Sequence, residues 1–257
     1  MSSVPVVPFP IPLVAATAAP HFLRRHLWLP LLATLAASTV LMGLGGDQWL
    51  ADRFYQMEGQ HWALQNAWVT SHLVHHGGKW MSTAAALVVV VLCTHAWRRP
   101  RAAAWRWPLL YLVLAVALGT GVVSLLKSVT NMDCPWDLAR YGGLREYVGV
   151  FAARPHGMPR GVCFPAGHSS AGFAWIGLYF FALMVRPAWR WRGLAVGLLA
   201  GAVFGLAQQL RGAHFLSHDL WTLATCWLVS LALYCAFQPL LRPADQTHRA
   251  VAQAEQA

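Results

Sequence analysis

The stretch RGAHFLSHD, residues 211–219, places a guanidinium, two imidazoles and a carboxylate between two long apolar segments. Only 11% of the 257 residues are charged, so this cluster is unusual in the chain. Ionisable residues at a membrane span usually mark a functional site. The stretch therefore directs the search for function to the membrane edge at which it lies.

The flanking segments belong to a set of six that predict an all-α integral membrane protein. The chain is 57% hydrophobic and has 14 tryptophans, and a spanning helix needs about 17 to 25 apolar residues. The six segments are residues 27–45, 80–97, 108–126, 168–185, 193–210 and 220–237. We expect a transmembrane helical bundle over residues 27–241, a loose N-terminal tail over 1–26 and a polar C-terminal tail over 242–257.

The distribution of basic residues predicts the orientation of this bundle, because short cytoplasmic loops collect Lys and Arg. With the N-terminus inside, eleven arginines and two acidic residues are cytoplasmic, whereas eight basic and seven acidic residues lie outside. We expect both termini in the cytoplasm and residues 211–219 at the outer face, which is the periplasm if the membrane is a bacterial inner membrane. This asymmetry explains the net charge of +10 without a nucleic-acid partner.

Three polar regions meet at the predicted outer face and suit a phosphate group. Lys127 ends the third span, a long connection leads to His168, and Arg211 and His214 follow the fifth span. A helix N-terminus favours an anion, and Lys and Arg neutralise phosphate oxygens. One neutral histidine can attack phosphorus while a second, protonated, histidine supplies a proton to the leaving oxygen. This route needs no metal and no cofactor.

The first two polar regions resemble motifs of the type 2 phosphatidic acid phosphatase superfamily. Its first motif is Lys, six residues, then Arg-Pro; here Lys127 is followed by six residues and Cys134-Pro135. Its second motif is Pro-Ser-Gly-His; here residues 165–168 read Pro-Ala-Gly-His. The lysine, the prolines, the glycine and the histidine match, whereas Cys134 replaces an arginine and Ala166 replaces a serine.

The third motif of that family is Ser-Arg, five residues, His, three residues, Asp. His214 occupies the histidine position, Gln208 falls where the arginine is expected, and His218 falls where the aspartate is expected. We hypothesise that Arg211, one helical turn after Gln208, supplies the missing guanidinium. Either His218 or the adjacent Asp219 then orients His214.

The resemblance implies a role for each matching residue. It implies that His214 is the nucleophile, which forms a phosphohistidine, and that His168 is the general acid. Lys127, the backbone of Gly167 and the adjacent Ser169 are expected to hold phosphate oxygens.

Cys134 and Cys163 are the two cysteines on the predicted outer side, and both lie in the long connection. Disulfides form in the oxidising periplasm, so we expect these two residues to be paired rather than to be two independent core residues.

Two further patterns receive a structural interpretation. His72, His75 and His76 form a run that could ligate a metal, but without a nearby cysteine or carboxylate we expect interfacial histidines on an amphipathic helix and no metal site. Glycines repeat every fourth residue along the fifth span, which favours close helix packing; they are Gly193, Gly197, Gly201 and Gly205.

The sequence thus predicts a phosphatase that acts on a lipid phosphate or diphosphate in the membrane. Phosphatidic acid, phosphatidylglycerol phosphate, undecaprenyl diphosphate and lipid A remain open as substrates. A lipid phosphotransferase with the same intermediate is the alternative within enzymes. A transporter or a non-catalytic lipid-binding protein would also explain charge at a membrane span, but not three motif matches at one face.

Overall fold

A computed structural model of the protein describes residues 20–149 and 152–241, and the regular secondary structure in these two ranges is helical. Six helices are long and apolar enough to cross a membrane, which confirms the predicted fold class and makes this an integral membrane protein. They are α1 Pro20–Gly43, α3 Val69–Arg98, α4 Pro100–Val129, α5 Gly167–Val185, α6 Pro187–Leu210 and α7 Leu216–Leu241. A shorter helix, α2 Gly46–Met57, lies between α1 and α3.

All six helices begin earlier than the hydropathy pattern predicts, and the difference is largest for α3. Helix α1 starts at Pro20 instead of residue 27, and α3 starts at Val69 instead of residue 80. The first turns of α3 are π-helical and contain three histidines, whose polarity hides the helix from a hydropathy window. Residues 1–19 and 242–257, which include most of the predicted N-terminal tail and all of the predicted C-terminal tail, lie outside the described residues.

The core of the bundle is formed by α4, α5, α6 and α7. Large side chains from three of these helices are almost fully buried together, among them Tyr111, Phe180 and Tyr234. Helix α5 is the centre of the bundle: 61% of its most apolar window is buried, against 11% for α3 and 6% for α1. Helices α1 and α3 therefore flank the core, and most of their surface is free to contact lipid.

The glycines of α6 allow this helix to approach α5 and α7 closely. A Cβ atom added to Gly193 would collide with the backbone of Leu178, and one added to Gly201 would collide with the ring of Phe173. One added to Gly205 would lie 2.7 Å from the carboxyl carbon of Asp219. The glycine stripe serves helix packing, as the sequence predicts.

Helix α2 and the connection between α4 and α5 cover one end of the bundle. The Arg140 guanidinium donates two hydrogen bonds to the carboxylate of Asp52, at 2.7 and 2.6 Å. Deeper in this cover, buried Asp133 accepts hydrogen bonds from Arg145 and Arg154 at 2.6 and 2.7 Å. The first contact joins α2 to the connection, and the contacts of Asp133 stabilise the connection itself.

Candidate active site

A cavity of about 850 Å³ lies beneath this cover, and its wall is formed largely by α3, α4, α5 and α6. Its wall includes five of the residues that the sequence predicts for the site: Lys127, Gly167, His168, Arg211 and His214. These residues come from three separate parts of the chain, and the fold brings them to one space.

His214 lies in the short turn between α6 and α7, which is held from both sides. Gly212 has a positive φ of 69°, and a Cβ atom there would clash with the indole of Trp62. The Trp136 amide donates to the Gly212 carbonyl at 2.9 Å, and the Ala213 amide donates to the Gln208 carbonyl at 2.9 Å. The turn therefore presents a His214 side chain that is only 6% exposed.

The surroundings of His214 keep its imidazole neutral. Burial, followed by the nearby charges of His218, Lys127 and His168, lowers the pKa of His214 well below its usual value of 6.5. The carbonyl of Cys163 acts in the opposite direction with a smaller effect. A neutral ring has a free nitrogen lone pair, which a nucleophile requires.

His218 and Asp219 are neighbours in the sequence, but their side chains contact different residues. Nδ1 of His218 lies 3.4 Å from Nδ1 of His214. Asp219 instead accepts a hydrogen bond from the Gln209 amide at 2.7 Å and packs against Gly205. Neighbouring residues on an α-helix point about 100° apart, so only one of the two can face His214, and in this structure it is His218.

Asp47 of α2 caps the helix that contains His218. Its Oδ1 atom accepts a hydrogen bond from the Ser217 backbone amide at 2.9 Å, at the first turn of α7. Burial raises the pKa of the Asp47 carboxyl, and hydrogen bonds from Ser217 lower it by less. Such a cap satisfies one of the free amides at a helix start, here from a residue distant in sequence that the motif comparison does not reveal.

Lys127 and the first turn of α5 form another part of the wall. A Cβ atom on Gly167 would lie 3.4 Å from Nζ of Lys127, so the absence of a side chain leaves room for the ammonium group at the helix start. Ser169, a predicted phosphate ligand, is fully buried and donates to the Ala166 carbonyl at 3.1 Å. Ser170 lines the cavity instead.

Arg211 directly follows the last residue of α6 and lines the cavity. Its Nε atom donates to the Gln65 carbonyl at 2.7 Å, and its Nη1 atom donates to Oε1 of Gln208 at 3.2 Å. Gln208 and Arg211 both line the cavity. The hypothesis that Arg211 replaces the arginine expected at position 208 requires this arrangement.

A disulfide joins Cys134 and Cys163, the pairing that the sequence predicts, with the Cα atoms 5.3 Å apart. Both residues line the cavity. With Asp137 they form the one group of three potential metal ligands in residues 20–149 and 152–241, and the disulfide removes both thiolates. The histidine run of α3 is not part of any such group in the described chain.

Sequence reasoning missed two residues of the cavity wall, His75 and Lys79 of α3. The ring of His75 stacks on that of His168, with centroids 4.3 Å apart and planes 24° apart. His75 and Lys79 are four residues apart, which places both on one face of α3. This spacing was the signal from which the sequence could have indicated them.

A sequence profile described as the PAP2 superfamily matches residues 108–242, more than half of the chain. No curated protein and no solved structure matches the chain. The matched region contains Lys127, the start of α5 and the His214 turn, and these are the elements that meet at the cavity. The chain therefore belongs to the PAP2 superfamily, whose members act as phosphatases or phosphotransferases on lipid phosphates.

Proposed function

We propose that this protein is a lipid phosphatase that uses His214 as its nucleophile and faces the outer side of a bacterial inner membrane. One observation carries the proposal: His214, His168, Lys127 and Arg211 line a single cavity. This set supplies a nucleophile, a general acid and two cations for a phosphoryl group.

The contacts of His214 indicate which of its nitrogen atoms reacts. Nδ1 lies near Nδ1 of His218, and we propose that the other ring nitrogen, Nε2, attacks phosphorus. His218 occupies the position at which the family motif has an aspartate, and we propose that it orients His214. A partner on one ring nitrogen fixes the tautomer that leaves the other nitrogen free.

The reaction proceeds in two steps. Nε2 of His214 bonds to phosphorus as the bond to the leaving oxygen breaks, and protonated His168 supplies that oxygen with a proton. Water then attacks the phosphohistidine, His168 accepts the proton, and inorganic phosphate leaves. Lys127, Arg211 and the backbone amides at the start of α5 stabilise the charge on the phosphoryl oxygens.

The lower part of the cavity supports a lipid substrate. Below Lys127 it continues between α3 and α4 among aliphatic side chains, including Ala86, Val90, Val113 and Val116. From Lys127 to Leu112, the cavity follows α4 for about 22 Å at 1.5 Å per residue. A pocket with a cationic mouth and an apolar interior fits a phosphate attached to a hydrocarbon chain.

His214→Ala should abolish phosphate release from long-chain lipid phosphates, with a loss of about 10³-fold or more in kcat/KM, because no other group forms the covalent intermediate. His61→Ala, an exposed residue outside the cavity wall, is the matched control. Vanadate should inhibit the wild type, and EDTA should not.

Three results would contradict the proposal. Full activity in His214→Ala would remove the nucleophile. An equal rate with a water-soluble phosphate monoester would remove the lipid specificity. Transfer of phosphate to an added lipid alcohol, without release of inorganic phosphate, would identify a phosphotransferase.

A further inference from the structure

Helix α3 adds a second basic pair to the cavity, and this pair lies outside the region matched by the family profile. His75 and Lys79 both line the cavity, whereas the profile begins at residue 108. The sequence has two lysines, Lys79 and Lys127, and both line this one cavity. The family resemblance explains Lys127 and leaves Lys79 without a role.

Within the described residues, Lys79 has no carboxylate partner that would explain its position. In residues 20–149 and 152–241, the ion pairs of the structure involve arginines and neither lysine. Lys79 follows His75 by four residues, so the two residues share one face of α3. Lys79 is exposed and lines the cavity, so an anionic ligand in the cavity can pair with its ammonium group.

The contacts of His75 indicate which part of the substrate this pair faces. Its ring stacks on that of His168, whereas the ring contact of His214 is with His218. In the proposed reaction His168 protonates the leaving oxygen. His75 therefore lies on the leaving-group side of the reacting phosphorus. Lys79, one helical turn further along the same face of α3, lines the same cavity.

The leaving group decides whether a cation is needed there. When a lipid monophosphate is cleaved, the leaving group is an alcohol, which needs one proton and is neutral afterwards. When a lipid diphosphate is cleaved between its phosphorus atoms, the leaving group is itself a phosphate, and negative charge accumulates on it. A positioned cation stabilises this charge in the transition state.

We propose that Lys79 and His75 form a second phosphate subsite and that the preferred substrate is a lipid diphosphate. This inference rests on the proposed function. Nε2 of His214 bonds to the terminal phosphorus as the bond to the bridging oxygen breaks, and the electron pair stays on that oxygen. His168 protonates this oxygen, and Lys79 neutralises the lipid monophosphate that departs. Water then releases inorganic phosphate from His214.

The test compares a prenyl diphosphate with the prenyl monophosphate of the same chain length, by release of inorganic phosphate. The wild type should have the higher kcat/KM for the diphosphate. Lys79→Ala should lower kcat/KM for the diphosphate about tenfold more than for the monophosphate, as expected for loss of a charged hydrogen bond. Lys79→Arg should restore most of this preference. Arg53→Ala removes an exposed cation that does not line the cavity and should leave the preference unchanged.

A binding measurement covers the case in which Lys79→Ala is poorly folded. In the His214→Ala background, methylenediphosphonate should raise the melting temperature more than inorganic phosphate does, and adding Lys79→Arg should keep that difference. Equal stabilisation by the two anions would overturn the second subsite.

The outcomes separate this inference from the proposed function. If the wild type hydrolyses both lipids and Lys79→Ala lowers both rates equally or not at all, the second subsite is wrong and the phosphatase stands. If the wild type releases phosphate from phosphatidic acid but from neither prenyl lipid, the inference is wrong and the phosphatase stands. If it releases phosphate from none of the three lipids, the proposed function fails and the inference fails with it.

Discussion

The two sides of the cavity are built in different ways. The closed wall, formed by Gly167, His168, Arg211 and His214, rests on α5, α6 and α7, where 61%, 39% and 39% of the most apolar windows are buried. The open wall, formed by His75, Lys79, Ala86 and Val90, belongs to α3, where the fraction is 11%. Catalytic groups need fixed positions, whereas a binding surface for a lipid must let the lipid enter. The difference suggests that the closed wall performs the chemistry and the open wall selects the substrate.

The family match follows the same division. Residues 108–242 include all of the closed wall and none of the open wall. Disturbing the closed wall should therefore reduce folding and catalysis for every substrate, whereas disturbing the open wall should change the preference among substrates. The substitutions at Lys79 test the second half of this statement, and three changes test the first half.

The largest effect is expected at Gly201 on α6, one of the helices that support the closed wall. Gly201→Leu places a side chain where Phe173 already lies, and overpacking of this kind costs about 3 kcal/mol or more. We expect a marked fall in melting temperature and in the monodisperse fraction in detergent. Gly121→Leu on α4 is the matched control, because nothing lies within 4 Å of a Cβ atom there. Equal behaviour of the two variants would show that the helices of the closed wall are not closely packed.

A smaller effect is expected from removing the disulfide in the double variant Cys134→Ser, Cys163→Ser. A cross-link that closes a loop of this length, with a sequence separation of 29 residues, contributes about 2 to 4 kcal/mol. The lost stability should be accompanied by a lower kcat for all lipid substrates, because both cysteines line the cavity. Dithiothreitol should destabilise the wild type and leave the double variant unaffected. A change in substrate preference alone would assign the disulfide to the open wall.

The smallest effect is expected at Asp47, which caps α7. Asp47→Ala should destabilise the protein by about 1 to 2 kcal/mol, whereas Asp47→Asn keeps an oxygen acceptor for the Ser217 amide and should cost less. Thermal unfolding in detergent distinguishes the two variants.

The pH dependence of Asp47 has a definite sign. Burial raises the pKa of its carboxyl above the usual 3.8, so its contribution to stability is greatest below that value and falls as the pH rises through the folded-state pKa. The stability of Asp47→Asn relative to the wild type should therefore increase from about pH 4 to pH 7. Parallel pH profiles would show that the pKa of the Asp47 carboxyl is not raised in the folded protein.

Much of the fold could be predicted from the sequence, because length and hydropathy decide whether a helix can cross a membrane. The start of α3 was the main miss among the spans. His72, His75, His76 and Lys79 lower the hydropathy of its first turns, yet residues 69–77 are helical. A hydropathy window averages over the whole helix circumference and cannot detect that one polar face lines a cavity.

The site residues could be predicted only where their spacing along the sequence matches a known motif. Motif spacing identified His214, His168 and Lys127 as residues that meet at the cavity. It did not distinguish His218 from Asp219, because their directions depend on how α7 is rotated against its neighbours. Asp47 and Trp62 contact the His214 turn from far away in the sequence, and no local pattern indicates such contacts.

The hydrogen bond between Asp47 and the Ser217 amide also bears on how the protein is made. The two residues are 170 positions apart, and a ribosome adds about 5 to 20 residues per second. For roughly 10 to 30 seconds after α2 has been synthesised, α7 does not yet exist. During this time Asp47 has no Ser217 amide to bind. The His214 turn is among the last parts of the bundle to assemble, so a nascent chain has no complete active site while it is being inserted.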